Sequence, residues 1–413
     1  MSAPATGFGG APSPALAPPP GNPRFALFDS LRGLAALAIL TFHVFTVTGA
    51  LDDPVVGDAI AIMGPRSLVL FFVVSGFLLY RPYVAARAQD RRPPRLARYL
   101  RRRVLRIVPA FWVALTLLAI FPGIVGVFSG DWWRYYFFNQ LYTQDTVGGG
   151  IPVAWSLSVE VSFYLLLPLW AWAVSRVRIG SGRRAWLAGE LVPLGIVMLG
   201  GVCIQVAAAQ REISDLAGSS LLGQCVWLGL GMALAVASVA AEREQLDPRV
   251  IRFVTRRPGL LWIGAGLSVA ALTVLLDPSG LVGIIQSLST EQLVAETLVA
   301  IALTAILSAL IVLPAIFGEN AGGLPRRVLA ARPVAWFGLV SYGLFLWHLT
   351  TAQLLGFPDD PAHFSASGLD LADRLPDALA TPVMLLLTLA VSSLLAAASY
   401  YLVELPFLRR KEG

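Results

Sequence analysis

The sequence contains ten apolar stretches of roughly 18 to 26 residues, each close to the length that a helix needs to cross the hydrocarbon core of a bilayer. Only 14% of the residues are charged, whereas charged residues make up about a quarter of a typical soluble domain. The sequence therefore predicts an all-α, polytopic membrane protein. The predicted spans are 31–50, 65–84, 107–128, 152–174, 186–207, 219–241, 259–276, 292–317, 334–356 and 378–403.

The distribution of basic residues supports ten spans, because Lys and Arg accumulate in cytoplasmic loops. With the N terminus in the cytoplasm, 27 of the 31 Lys and Arg residues fall in cytoplasmic segments. The other four are Arg66, Arg134, Arg211 and Arg374. We therefore expect a plasma-membrane protein with both termini in the cytoplasm. The net charge of +6 then reflects topology, and nucleic acid is not an expected partner.

The two ends of the chain differ from the apolar middle. Residues 1–23 include seven prolines but no positive charge and no apolar signal-peptide core, which predicts a disordered tail. Residues 24–410 are predicted to form one transmembrane domain, and residues 411–413 a short C-terminal tail.

Three ionisable residues stand out inside the predicted spans: His43, Glu160 and His348. Ionisable groups inside a bilayer are costly and are usually functional. Arg32 precedes His43 by eleven residues, so both lie on one face of a helix, about 16 Å apart along its axis. Histidine has an ordinary pKa near neutrality and suits general base catalysis. The spacing therefore favours a site in which Arg32 binds an anion and His43 acts as a base. Two alternatives remain open: Arg32 as an interfacial anchor and His43 as a structural histidine.

Other charged groups also have two interpretations. The ten arginines of residues 81–106 fit a phosphorylated cofactor, but they equally fit anionic lipid headgroups. Glu160 either orients His43 or bonds an arginine or a backbone group. Asp29 is predicted to cap the N terminus of the first helix.

Six short motifs extend over nearly the whole chain. They are FDSLRGLAALAILTFH at 28–43, FFVVSGFLL at 71–79, the basic stretch at 102–109, WSLSVEVSFYLLLP at 155–168, SYGLFLWH at 341–348 and SYYLVELPF at 399–407. In sequence and order they resemble the motifs of the acyltransferase-3 family, the ten-span membrane O-acyltransferases. The first contains the family's signature of arginine, ten residues and histidine.

The resemblance implies transfer of an acyl group, most often acetyl from acetyl-CoA, to a hydroxyl of a carbohydrate, glycolipid or secreted metabolite. It implies catalytic roles for Arg32, His43 and Glu160, with His43 as the general base and no metal. The positions implied to bind acyl-CoA or substrate are Arg103, Arg106, Ser75, Ser341, Tyr342, Trp347 and His348. Ser75, Ser158 and Ser341 also lie in matched motifs, so a covalent acyl-enzyme remains open beside direct transfer.

The chain departs from the family pattern at several positions. Val69 stands where many relatives have an acid, Val161 and Ser162 replace a frequent Glu and Gln, and Thr350 replaces a frequent proline. These differences affect the inferred substrate more than the inferred class. The sequence ends shortly after Glu404, as expected for the stand-alone form without a soluble hydrolase-like domain.

Two other functional classes remain open. A proton-coupled secondary transporter would use His43, Glu160 and His348 as an intramembrane relay, without consuming acyl-CoA. A lipid or glycan scaffold would explain the basic segment alone. Thirty arginines against one lysine indicate a high-GC bacterium, in which envelope glycans, glycolipids and macrolide-like metabolites are the expected acceptors.

Overall fold

The computed structural model describes residues 25–409, apart from 26, 178–181, 244–245, 277–289, 318–321 and 358–364. The predicted tails at 1–23 and 411–413 lie outside the described residues. Within the described part, every regular element is a helix, and ten helices are long and apolar enough to cross a membrane. This confirms the predicted all-α polytopic fold. The helices are α1 Leu27–Val47, α2 Val56–Ala88, α3 Leu96–Ile120, α4 Trp155–Arg176, α5 Arg183–Ala209, α6 Leu221–Glu242, α7 Pro258–Leu276, α8 Thr290–Ile316, α9 Arg332–Gly356 and α10 Asp377–Ala398.

The third span differs most from its prediction. Helix α3 begins at Leu96 instead of residue 107, because arginine and leucine are good helix formers and long arginine side chains reach polar surroundings from a helix end. It ends at Ile120 instead of residue 128. The next residue, Phe121, is extended with φ −150° and ψ 125°, the conformation that a following proline favours.

The predicted N-cap role of Asp29 is wrong. Helix α1 begins two residues earlier, at Leu27, and Phe28 is only 1% exposed in the core. Burial of these apolar side chains extends the helix past the polar residue. Asp29 instead lies in the first turn, where a negative charge is favourable at the positive end of the helix dipole.

The helices that carry the motifs lie at the centre of the bundle. Helix α1 packs against both α2 and α9, and α2 packs along α6. In the most apolar 18 residues of each helix, the buried share is 67% for α2, 17% for α5 and 22% for both α7 and α10. The central helices thus surround polar groups, and the peripheral helices present most of their surface outward.

Two glycines bring α1 and α9 into backbone contact. A Cβ atom on Gly33 would collide with the backbone of Gly338, and a Cβ atom on Gly338 would collide with the backbone of Asp29. Small residues at such crossings let membrane helices approach closely. The crossing places Arg32 beside the start of the 341–348 motif.

Candidate active site

A pocket lies among α1, α2, α3, α4 and α9. Its cavity has a volume of about 60 Å³. It is lined by Arg32, Leu68, Phe71, Phe72, Arg106, Ile107, Ser156, Leu157, Glu160, Tyr164, Ser341, Tyr342 and Phe345. Predicted site residues from four separate motifs therefore meet in one cavity.

Glu160 is a partly buried carboxylate that lines this pocket. The hydroxyl of Ser75 donates a hydrogen bond of 2.6 Å to Oε1 of Glu160. Glu160 also interacts with Tyr164, one turn further along α4. Ser75 is 1% exposed and does not line the cavity, so its contact is with Glu160 and not with the open space.

Three arginines lie around Glu160: Arg32, Arg103 and Arg106. Arg32 lies 3.7 Å from Asp29, and its charge also interacts with Arg106 and Glu160. The guanidinium of Arg103 lies 5.9 Å from the centre of the Tyr164 ring. Its Nε has no hydrogen-bond partner among the described residues. The unpartnered donor of Arg103 and the clustering of three guanidinium groups favour binding of an anion here.

His43 and His348 form a second polar group, outside the pocket. Their ring centroids are 5.2 Å apart. Nδ1 of His348 lies 2.9 Å from the carbonyl oxygen of Phe345 and 3.1 Å from that of Leu344. Because a carbonyl oxygen only accepts, Nδ1 carries the proton and Nε2 carries the lone pair. Nε2 of His348 is buried and has no hydrogen-bond partner among the described residues.

Two aromatic side chains connect the pocket to the histidine pair. Phe71 and Phe345 both line the pocket, with ring centroids 6.3 Å apart. The ring of Phe345 also lies 6.1 Å from that of His348. The sequence analysis did not single out Phe71, Phe345 or Tyr164, because an aromatic residue in an apolar span is usually a packing residue. Their positions inside matched motifs were the only available signal.

The open question about Glu160 is answered by its neighbours. Its described contacts are with Ser75, Tyr164 and the pocket arginines, whereas those of His43 are with Phe42 and His348. Glu160 therefore belongs to the arginine pocket, and His348 is the polar neighbour of His43.

The remaining motif residues make backbone hydrogen bonds or are buried around these two groups. The hydroxyl of Ser341 donates to the carbonyl of Gly338 at 2.8 Å, and that of Tyr342 donates to the carbonyl of Ile107 at 2.9 Å. Trp347 is 7% exposed, and Glu404 is 5% exposed. Ser158 is fully buried, and its Oγ has no hydrogen-bond partner within the described chain.

The described residues do not provide the pairing that an activated serine or a metal ion needs. None of the hydroxyls of Ser75, Ser158 and Ser341 is hydrogen-bonded to a histidine in the described part of the chain. No group of three or more His, Cys, Asp or Glu side chains there is arranged to hold a metal ion.

Comparison with known proteins identifies the family. Residues 25–397 match the profile of the acyltransferase-3 family, which is described as an acyltransferase domain. The chain belongs to this family. The resemblance predicted from the six motifs is therefore confirmed.

Three relatives show how far this similarity extends. Acyltransferase MdmB of Streptomyces mycarofaciens is 27% identical over 225 residues, covering 51% of this chain and 54% of MdmB. Nodulation protein 10 of Rhizobium leguminosarum bv. viciae is 24% identical over 273 residues, covering 60% and 69%. Peptidoglycan O-acetyltransferase OatA of Listeria monocytogenes is 23% identical over 337 residues, covering 78% and 48%. The chain thus matches about half the length of MdmB and OatA.

No solved structure matches the chain. None of the matching relatives is named as a transporter, so the transporter hypothesis finds no support in these comparisons.

Proposed function

We propose that this protein is a membrane O-acyltransferase that moves an acetyl group from acetyl-CoA to a hydroxyl of a carbohydrate, glycolipid or secreted metabolite. The observation that carries the proposal is the arrangement on α1. This helix presents Arg32 to an anion-binding pocket and His43, about 16 Å further along, to a histidine pair. The family of acyltransferase domains supplies the reaction class.

The arginine pocket is the proposed site for a phosphate of the donor. The planar guanidinium of arginine binds phosphate through paired hydrogen bonds. A cavity of about 60 Å³ accommodates one small group and not a whole coenzyme. The remainder of the donor then lies along the first turns of α3, where Arg101 and Arg102 are exposed.

The thioester must reach His43 from that pocket. A donor with phosphates at one end and a thioester at the far end of a flexible arm matches the spacing between Arg32 and His43. The arm passes Phe71 and Phe345, whose rings separate the two polar groups. These apolar rings also exclude water from the acyl group, which disfavours hydrolysis.

The chemical step assigned to His43 is general base catalysis. Its imidazole takes the proton of the acceptor hydroxyl as the oxygen attacks the thioester carbonyl. The carbon–sulfur bond then breaks, and the imidazolium returns the proton to the departing thiolate of CoA. When the two rings move closer, Nε2 of His348 accepts a hydrogen bond from one ring nitrogen of His43. The other ring nitrogen of His43 then carries the lone pair and acts as the base.

Envelope glycans are the first acceptor class to test. OatA is named as a peptidoglycan O-acetyltransferase, and glycolipids and macrolide-like metabolites are the further proposed acceptors. We expect both termini on the cytoplasmic side of the plasma membrane, as the positive-inside distribution of arginine supports. A cytoplasmic donor would then enter from the side of the basic segment between α2 and α3.

The decisive experiment compares the source strain with its deletion mutant by mass spectrometry of envelope glycans, lipids and secreted metabolites. In the deletion mutant, we expect one species to be lighter by the mass of an acetyl group. Complementation with the wild-type gene should restore that mass. The His43→Ala variant should insert and fold normally but fail to restore the mass. His363→Ala is the matched control, since this third histidine lies outside all six motifs.

The donor is tested with radiolabelled acetyl-CoA and purified membranes from the complemented strains. Label should enter the acceptor with wild type and His363→Ala, and not with His43→Ala. Full transfer by His43→Ala would overturn the base assignment. Transport of a substrate across the membrane without consumption of acetyl-CoA would overturn the enzymatic proposal itself.

A further inference from the structure

A second cavity lies on the opposite side of the α1–α2 pair from the arginine pocket. It has a volume of about 270 Å³ and is bounded by α1, α2, α7 and α8. Its lining is apolar except for Arg66, Ser67 and Ser308. The lining residues are Leu31, Leu34, Ala35, Ala38, Met63, Arg66, Ser67, Leu70, Trp262, Ala265, Gly266, Val269, Leu307, Ser308 and Ile311. We call this cavity the lateral groove.

Arg66 is the single charged residue among those that line the lateral groove. Its Nε donates to the hydroxyl of Thr304 at 3.2 Å, and Nη1 donates to the carbonyl of Ile62 at 2.9 Å. No carboxylate among the described residues forms an ion pair with it. A guanidinium has five N–H donors, so these bonds leave most of them available.

Arg66 extends towards the N-terminal end of α2. It lies ten residues, about 15 Å, from the first residue of this 33-residue helix. Its Nη1 reaches the carbonyl of Ile62, one turn nearer that end. A long arginine side chain in a membrane helix extends in this way towards the headgroup level.

The lateral groove is accessible from the side of the bundle. Gly266 on α7 is exposed, and a Cβ atom built on it would meet no atom within 4 Å. The neighbouring Leu267 is 66% exposed on the same helix. A chain molecule in the bilayer can therefore enter between α7 and the α1–α2 pair without crossing the protein core.

We propose that the lateral groove binds an anionic phospholipid of the surrounding bilayer. Its phosphate binds the free N–H groups of Arg66, and one acyl chain lies along the apolar faces of α1 and α2 towards Leu31 and Leu70. Charge complementarity selects this occupant, because an unpaired cation inside a membrane is costly and a phosphate oxygen is a strong partner for arginine. This proposal does not depend on the acyl-transfer reaction.

Native mass spectrometry of the full-length protein tests the proposal with two probes that share acyl chains. These are dioleoylphosphatidylglycerol, which is anionic, and dioleoylphosphatidylcholine, which is zwitterionic. We expect one bound phosphatidylglycerol per chain, retained about tenfold more strongly than phosphatidylcholine, a difference near 1.4 kcal/mol. Equal retention of both lipids by the wild type would overturn the proposal, as would occupancy of the groove by a second copy of the chain.

Filling the groove provides the positional test. In Gly266→Leu the added side chain occupies the open space, so phosphatidylglycerol retention should fall about tenfold. Gly200→Leu is the matched control, because Gly200 on α5 is also an exposed helical glycine with no atom within 4 Å of its Cβ position. Equal retention by these two variants would place the lipid elsewhere.

Changing Arg66 tests the charge. Arg66→Leu should abolish the preference for phosphatidylglycerol, whereas Arg66→Lys should retain part of it. Thr304→Val removes the hydrogen-bond partner but keeps the cation, and it should keep the preference. If Thr304→Val loses the preference as fully as Arg66→Leu, the α2–α8 contact and not the charge is responsible. If Arg66→Leu does not fold, the comparison of Gly266→Leu with Gly200→Leu still tests the proposal.

Discussion

Two groups of buried arginine differ in how completely they are paired. Arg87 meets Glu190 through two hydrogen bonds of 2.7 Å, and the Tyr80 hydroxyl donates to the same carboxylate at 2.9 Å. In the candidate active site, Arg32, Arg103 and Arg106 share the vicinity of Glu160, and Nε of Arg103 has no partner among the described residues. The first group joins α2 to α5, and the second leaves positive charge available to a ligand.

The physical reason lies in the cost of desolvating charge. A buried ion pair with matched geometry recovers much of that cost, so it persists as a structural contact. A cation without a matched carboxylate remains costly until an anion binds. The closeness and geometry of the paired carboxylate therefore separate structural arginines from binding arginines.

The largest predicted effect is loss of stability on breaking the matched pair. Glu190→Ala leaves the Arg87 guanidinium, 19% exposed, without its carboxylate, and should lower the free energy of unfolding by about 3 to 5 kcal/mol. Thermal unfolding in detergent measures this, with the exposed Glu212→Ala as control. Transfer per folded molecule should not change. A midpoint equal to that of Glu212→Ala would show that Arg87 and Glu190 are not a structural pair.

The next effect is loss of donor binding in the unmatched group. Arg103→Ala removes a guanidinium whose Nε has no partner in the described chain, so stability should change little. The KM for acetyl-CoA should rise about 10- to 100-fold, the loss of one hydrogen-bonded charge contact. Arg103→Lys should recover only part of this loss, because lysine lacks the planar fork. An unchanged KM in both variants would place the donor elsewhere.

A smaller effect is expected when Glu160 loses the hydrogen bond from Ser75. Ser75→Ala removes the 2.6 Å hydrogen bond to Glu160 and should lower kcat/KM about 3- to 10-fold. Ser268→Ala is the matched control, since this buried serine donates only to its own helix at Gly264. If both variants retain wild-type kcat/KM, the orientation of Glu160 does not affect the reaction.

The smallest effect concerns a carboxylate outside both groups. Oδ1 of Asp53 accepts the N–H groups of Val56 at 2.7 Å and Val55 at 3.0 Å, and these bonds hold the pKa of Asp53 below its ordinary value. A depressed folded-state pKa adds stability above the unfolded pKa of about 3.9, and this stability is lost as the pH falls through the folded value. Unfolding midpoints measured from pH 6 to pH 3 should show this loss in wild type and not in Asp53→Asn.

Much of the fold could be predicted because bilayer crossing depends on local composition. Ten apolar stretches correspond to ten helices that are long and apolar enough to cross a membrane. The limits of α3 could not be predicted in this way. Hydropathy does not distinguish a helix that continues into a basic segment from one that ends at the membrane surface.

The sequence by itself determined the class of fold, the number of spans and the family, because each of these depends on residue type and short-range spacing. Only the tertiary structure decided which arginines are matched by carboxylates, that Glu160 lies with Arg32 while His348 lies with His43, and that Arg66 faces a lateral groove. Those properties depend on the packing of helices far apart in the chain, at close crossings such as Gly33 with Gly338. No local pattern encodes them, since pairing is a property of the neighbours that a side chain meets in three dimensions.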